Sequence, residues 1–138
     1  MKNKSNIILL HSLVLFFSMS CSKKDETYVD LKKTPDNELS KICFQNLFDS
    51  DTVKSNELSF KIPIKNCGKN TIKKFKIVTT CDCTSISKAP KELKANDTYN
   101  LELKIDLKGE KGYYKKQILL YGTFFPYVKY INFEGYKK

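Results

Sequence analysis

Tyr99, Leu101, Leu103, Ile105 and Leu107 alternate without a break with Asn100, Glu102, Lys104 and Asp106. Side chains of an extended strand point to opposite faces in turn, so this run has one apolar face and one polar face. A second run repeats the pattern, with Leu58, Phe60, Ile62 and Ile64 set against Ser59, Lys61, Pro63 and Lys65. Pro63 lacks an amide donor, which predicts an edge or irregular position at that point. Strand patterns recur over 72–80, 113–122 and 127–134. Between them lie the turn residues Asn66-Cys67-Gly68-Lys69-Asn70 and Lys108-Gly109-Glu110-Lys111-Gly112, a turn at 123–126 and a longer loop over 85–96. Ile42, Phe44 and Leu47 suggest a short first strand, and 49–56 reads as a polar turn region. Residues 58–65 and 72–80 read as a hairpin turning at Cys67. No convincing helical stripe occurs beyond the leader. The expected fold is all-β, an immunoglobulin-like antiparallel β-sandwich over residues 41–138.

Ahead of that domain, Lys2 and Lys4 precede an apolar run over 7–17, then Ser18-Met19-Ser20 and Cys21. This is the build of an export signal over 1–20. A membrane-crossing helix needs about 20 apolar residues, so the run targets the chain and does not span a bilayer. With its cysteine in that position it resembles a bacterial lipoprotein signal, which implies lipid attachment at Cys21, although Ser18 stands where Leu is usual. The implied partner is a membrane, reached through lipidated Cys21. The implied location is the cell envelope, at the outer membrane, facing either the periplasm or the exterior. Residues 21–40 are charged and poor in large apolar side chains, and read as a polar flexible tether with a span of about 25 Å. Its start, Ser22-Lys23-Lys24-Asp25-Glu26, resembles the surface-export signals of some outer-membrane lipoproteins and reads equally as plain linker.

The formal charge of +10 falls to +8 once the leader, with two Lys and no acid, is removed. Every basic side chain is Lys. Base readout and phosphate clamping favour Arg set among stacking aromatics, and export separates the chain from cytoplasmic nucleic acid, so no nucleic-acid partner is expected. A solvated Lys-rich surface accounts for the charge, with anionic lipid or acidic glycan as further options.

Four cysteines follow Cys21: Cys43, Cys67, Cys81 and Cys83. In an oxidising compartment they are expected to pair. A hairpin of 58–65 with 72–80 puts Cys67 at its turn and Cys81 near its open end, roughly 30 Å away at the rise of a strand. A preceding antiparallel strand brings Cys43 towards Cys67, so a Cys43–Cys67 disulfide is predicted. Cys81 and Cys83 are then left to each other. Extended strand separates such a pair by about 6.6 Å, near the upper limit for a disulfide. The pair is therefore a candidate redox site, a candidate soft-metal site of the copper type, or a structural bridge at a strand end. His11, Met1 and Met19 all lie in the leader, so the exported domain lacks the usual companion ligands. No Cys/His or Ser/His nucleophile pair is available either, and neither a catalytic residue nor a cofactor is expected. Aromatic residues crowd the last third of the chain. Phe124-Phe125, in a turn, is a candidate contact surface for a protein or glycan partner.

The series Phe60-x-Ile62, Asn66-x-Gly68-Lys69 and Ile77-x-x-x-Cys81-x-Cys83-Thr84 resembles the bacterial family called domain of unknown function 1573. The turn over 109–114 and the closing Phe133-x-Gly135 extend the likeness, which covers residues 48–135. Cys67 stands where that family usually has Thr, and Asp82 replaces the Gly between the paired cysteines. The resemblance implies an immunoglobulin-like sandwich in exported, often lipid-anchored proteins, with no established reaction. The reading that follows is a non-catalytic, lipid-anchored binding or structural module. The alternative is a thiol redox or soft-metal protein acting through Cys81 and Cys83.

Overall fold

The computed structural model describes residues 26–138; the leader, Cys21 and the start of the tether lie outside the described residues. Eight strands make up most of it: β1 (Ile42–Cys43), β2 (Leu47–Val53), β3 (Glu57–Asn66), β4 (Lys76–Thr79), β5 (Thr84–Ile86), β6 (Thr98–Asp106), β7 (Gly112–Tyr121) and β8 (Val128–Lys137). One sheet is ordered β1-β3-β6-β5 and the other β2-β8-β7-β4. The chain passes between sheets at both margins, from β1 to β2 on one side and from β4 to β5 on the other. The expected sandwich is therefore present, and every pairing is antiparallel except the parallel β2–β8.

The alternating runs set the core. Ile62, Ile64, Leu101, Leu103 and Ile105 face inward from one sheet, and Ile77, Ile118, Leu120, Ile131 and Phe133 from the other. Each contributes about 1.5–3 kcal/mol on leaving water, before the entropy of ordering the chain is subtracted. An aromatic cluster joins the sheets, with Phe133 4.9 Å from Phe60 and 5.4 Å from Phe48 between ring centres. Gly135 completes this end of β8, because a Cβ there would come within 2.7 Å of the Tyr114 hydroxyl packed over it.

Three local expectations change. The hairpin of 58–65 with 72–80 does not form: β3 pairs along its length with β6, from Glu57↔Asp106 to Lys65↔Thr98, whereas β4 pairs with β7 in the other sheet. Alternation fixes which face of a strand is buried but not its neighbour, and both arrangements bury Phe60, Ile62 and Ile77. The region 49–56 is no simple turn, since β2 runs to Val53 beside β8. An edge strand held by backbone pairing tolerates the polar sequence Asp49-Ser50-Asp51-Thr52. Its irregularity is a register shift between Asp49 and Thr52, where Asp51 takes a φ of 49° and donates its amide to Asp49 Oδ1 at 2.8 Å. Pro63 lies in a strand flanked on both sides, yet β1 pairs only with Lys65 and Asn66, so no β1 residue faces the proline.

The third change concerns the tether. Residues 26–40 carry a short helix, α1 (Glu26–Leu31), and a 3-10 turn at Asp36–Glu38. Leu31 is 0 % exposed. Asn70 Nδ2 donates to the carbonyls of Asn37 (2.8 Å) and Leu39 (3.0 Å), and Ser40 N donates to Thr123 O at 2.9 Å. Asp30 lies 3.3 Å from Lys33 Nζ and 3.5 Å from Lys74 Nζ. The Lys33 hydrogen bond, then Lys74, hold the Asp30 carboxyl below its ordinary value. The attachment this pair provides is thus present above the ordinary carboxylate pKa and fades as pH falls through the lowered one. Both partners are solvated, so apolar burial of Leu31 outweighs the ion pair. Sequence composition concealed the docking because one leucine among charges produces no stripe.

If residues 26–40 belong to the folded unit, Leu31→Ala should destabilise the protein by about 2–4 kcal/mol, read as a lower urea midpoint at unchanged slope. A shift under about 0.5 kcal/mol, the usual effect of a surface substitution, would return this segment to the status of a free tether.

Candidate functional site

The Asn-x-Gly turn ends β3. Asn66 is fully buried, and each polar atom of its side chain is used. Oδ1 accepts from Ser40 Oγ at 2.7 Å and from the Gly68 amide at 3.1 Å. Nδ2 donates to the carbonyls of Asn70 and Leu93, both at 2.8 Å. The Gly68 bond is the Asx-turn that asparagine favours, and it reverses the chain at the strand end. Gly68 is required by close packing: a Cβ there would overlap Ser40 Oγ and come within 2.5 Å of the Lys41 amide nitrogen. Asparagine is suited to this position because it alone among small side chains offers two donors and two acceptor sites in one plane.

Beside this turn, Cys67 N donates to Lys41 O at 2.7 Å, and the Cys67 sulfur is bonded to that of Cys43, with Cα atoms 6.0 Å apart. The register Ile42↔Asn66 and Cys43↔Lys65 brings the two together. Cys67, the departure from the Asn-Thr-Gly form, is thus one half of a staple whose other half is in β1.

The second pair occupies the opposite margin, where the chain leaves β4 for β5. The strand does not persist to Cys83. It ends at Thr79, and the chain turns through Cys81-Asp82-Cys83-Thr84, with Thr84 N donating to Cys81 O at 3.3 Å. Turning contracts the Cα separation of Cys81 and Cys83 to 5.2 Å, inside the usual disulfide range and below the extended spacing expected from the sequence, and the two sulfurs are bonded. The Cys83 carbonyl accepts from Asp106 N at 2.8 Å, fastening the turn to β6. Thr84, buried beneath it, places Oγ1 3.5 Å from the Cys81 sulfur and 3.8 Å from that of Cys83. Disulfide sulfur has no proton to give, so this hydroxyl is the donor. Positive φ among the described non-glycine residues occurs at Asp51, Lys74 and Asn96, so Asp82 replaces Gly without entering the left-handed region.

Loop length separates the roles of the two bonds. Closing a 24-residue separation removes on the order of 3 kcal/mol of denatured-state freedom, and closing a separation of two removes about 1.5 kcal/mol. Cys43–Cys67 is the stabilising cross-link, whereas Cys81–Cys83 sets the local shape of a turn. Among the described residues, no three His, Cys, Asp or Glu side chains gather into a metal-holding group. Phe124 and Phe125 do not act together: Phe124 is core, while Phe125 projects into solvent. Asn66, the most fully bonded side chain at either site, has no signature in hydropathy; its only signal is its place before Cys67-Gly68.

The sequence profile of the family described as Protein of unknown function (DUF1573) matches residues 41–136, the span of the sandwich and both cysteine pairs. The chain belongs to the DUF1573 family. No curated protein matches this sequence. Among solved structures, this DUF1573 chain is similar to a protein of unknown function from Porphyromonas gingivalis W83, at 13 % identity and a TM-score of 0.64, covering 76 % of this chain and 50 % of that one. It is similar to the ASH/PapD-like domain 7 of human CEP192 at 11 % identity and a TM-score of 0.56, covering 76 % of this chain and 89 % of that one. It is also similar to the Vibrio cholerae VesB protease at 10 % identity and a TM-score of 0.55, over 70 % of this chain but 31 % of the protease. The chain therefore spans half or less of the first and last of these proteins. At such identities the likeness is one of fold, and it identifies the DUF1573 domain here as an immunoglobulin-like sandwich.

The Asn66 network yields a sharp expectation. Asn66→Ala removes the acceptor of the Ser40 hydroxyl and the Gly68 amide, the side-chain donor to the Asn70 carbonyl, and one of two donors to the Leu93 carbonyl, which Ile72 N still reaches at 2.9 Å. Losing all four bonds should cost about 3 kcal/mol or more. Asn70→Ala, at a more accessible position, should cost about 1 kcal/mol by the same chemical-denaturation measurement. Equal effects would show that the Asn66 bonds are not the node of this turn.

Proposed function

We propose that the protein is a lipid-anchored module of the cell envelope, held at the outer membrane through Cys21, and that its sandwich serves as a non-catalytic binding or structural domain. The observation that carries this reading is the use to which the family's signature residues are put. Asn66 is occupied by four hydrogen bonds, Gly68 by close packing, Cys81 and Cys83 by each other, and Thr84 by the turn beneath them. Residues with the chemistry of tools are employed as architecture. Two disulfides are consistent with an oxidising compartment outside the cytoplasm. Two acyl chains or more on one cysteine hold a protein stably at a bilayer, at about 0.8 kcal/mol per buried methylene. The partner such a module would engage is a protein or glycan of the envelope.

A second reading has a specific observation in its favour. The Cys81–Cys83 bond closes so short a loop that chain entropy gives little reason for it, and a buried hydroxyl lies against both sulfurs. In that reading an envelope dithiol attacks one sulfur, the mixed disulfide resolves, and two electrons and two protons pass to Cys81 and Cys83 while the partner becomes a disulfide.

One preparation of native protein addresses both. We expect acyl mass on Cys21, retention in the membrane fraction after a high-salt wash, and release of Cys21→Ala into the soluble fraction. We further expect Cys81 and Cys83 to stay unalkylated in a mild dithiol buffer that reduces exposed model disulfides. Reversible alkylation of both at mild potential would promote the redox reading above the structural one.

A further inference from the structure

We infer that the aromatic end of the sandwich, built around Tyr28, Phe125, Tyr127 and Tyr130, is the surface on which the domain rests against the lipid bilayer. The inference relies on lipid attachment at Cys21 and adds a defined orientation to it.

Tyr28 of α1 lines a shallow cleft with Tyr121, Pro126, Tyr127, Val128 and Tyr130, so the helix and the β7–β8 turn form one surface. Phe124 is turned into the core, and its neighbour Phe125 is turned out at 72 % exposure, the highest of the exposed large apolar side chains among the described residues. Phe125 has one ring beside it, that of Tyr127 at 6.3 Å. Lys32 holds its ammonium 4.7 Å from the centre of the Tyr28 ring, which puts positive charge at the rim of the aromatic surface. Tyrosines with apolar bodies and polar tips, an outstanding phenylalanine and a lysine at the rim are the chemistry of the headgroup layer. Lys32 adds attraction to anionic lipid.

Chain length says which surface lies within reach. Four residues lie between Cys21 and Glu26, where α1 begins, making five Cα-to-Cα steps. Even fully extended they span at most roughly 18 Å, and Tyr28 is only about 3 Å further along the helix. A free tether over 21–40 would let the domain turn any face to the membrane. Because residues 26–40 are docked, the bilayer holding Cys21 lies within roughly 20 Å of Tyr28, and this end of the sandwich is the end presented to it. Tethering at that range gives an effective concentration on the order of millimolar, so weak side-chain insertion suffices to fix the orientation.

The opposite end of the same two strands supplies internal controls. Tyr113 pairs with Tyr136 there, about 27 Å along the sheet from the Tyr121↔Val128 pair. Tyr136 is 51 % exposed and Tyr130 is 46 %, so in water the two should react alike.

The test is hydroxyl-radical footprinting of the full lipidated protein in vesicles of phosphatidylethanolamine and phosphatidylglycerol, read residue by residue by mass spectrometry. Tyr130 should be oxidised at least about fivefold more slowly than Tyr136, as expected for a group held at headgroup depth, and Phe125 should be protected with it. Phe125→Ser, which touches no core contact, should raise the Tyr130 rate towards that of Tyr136. Equal rates for Tyr130 and Tyr136 on acylated, vesicle-bound protein would overturn the lipid-facing surface and leave the anchor intact. Protection in native envelope membranes but not in protein-free vesicles would assign the surface to a protein partner and overturn it as well. Absence of acyl mass on Cys21 would overturn the anchor, and the reach argument with it.

Discussion

The carboxamide of Asn66 is the interaction on which the rest of the sandwich depends. Its four hydrogen bonds reach Ser40 in the segment leading into β1, Gly68 and Asn70 in the connection from β3 to β4, and Leu93 in the loop ahead of β6. Main-chain bonds reinforce the node, with Asn66 N donating to Asp97 O at 3.0 Å and Asn96 N donating to Asn66 O at the same distance. Three irregular segments thus converge on one buried side chain. Irregular backbone inside a protein must find partners that strands would otherwise supply, and here one residue supplies several of them.

Strand periodicity was legible and strand partnership was not. Leu101, Leu103 and Ile105 announced β6, and Phe60, Ile62 and Ile64 announced β3, because a half-buried strand cannot hide its alternation. The crossing from β3 to the opposite sheet left no trace in hydropathy, since Ile77 is buried equally well beside β3 or beside β7. β2 was illegible for a different reason. Its identity comes from parallel backbone bonds to β8, and Asp49, Ser50 and Asp51 describe a loop to any reading of side chains.

The cysteines show both sides of this. Cys43 and Cys67 could be matched because a staple needs only the end of one strand and the beginning of a neighbour, and β1 provides that neighbour whichever sheet β4 joins. The conformation around Cys81 and Cys83 could not be foreseen, because continuing the period-two pattern kept the strand extended where the chain in fact turns. The Asn66 network was legible only as an Asn-x-Gly pattern. Which carbonyls it satisfies depends on Leu93 and Asn70 arriving from elsewhere in the fold.

The position of the Cys43–Cys67 bond has a mechanical meaning. Tension entering from the N-terminal side reaches Ser40, then β1, and at Cys43 it meets a covalent path directly into the end of β3. β2 lies beyond Cys43 in the chain and is bypassed, so a pull from that direction, once past Ile42 of the short edge strand β1, bears on β3, which is flanked on both sides, instead of unzipping β2. A domain fastened in this way transmits load to a strand paired on both sides and keeps β2 out of the line of force.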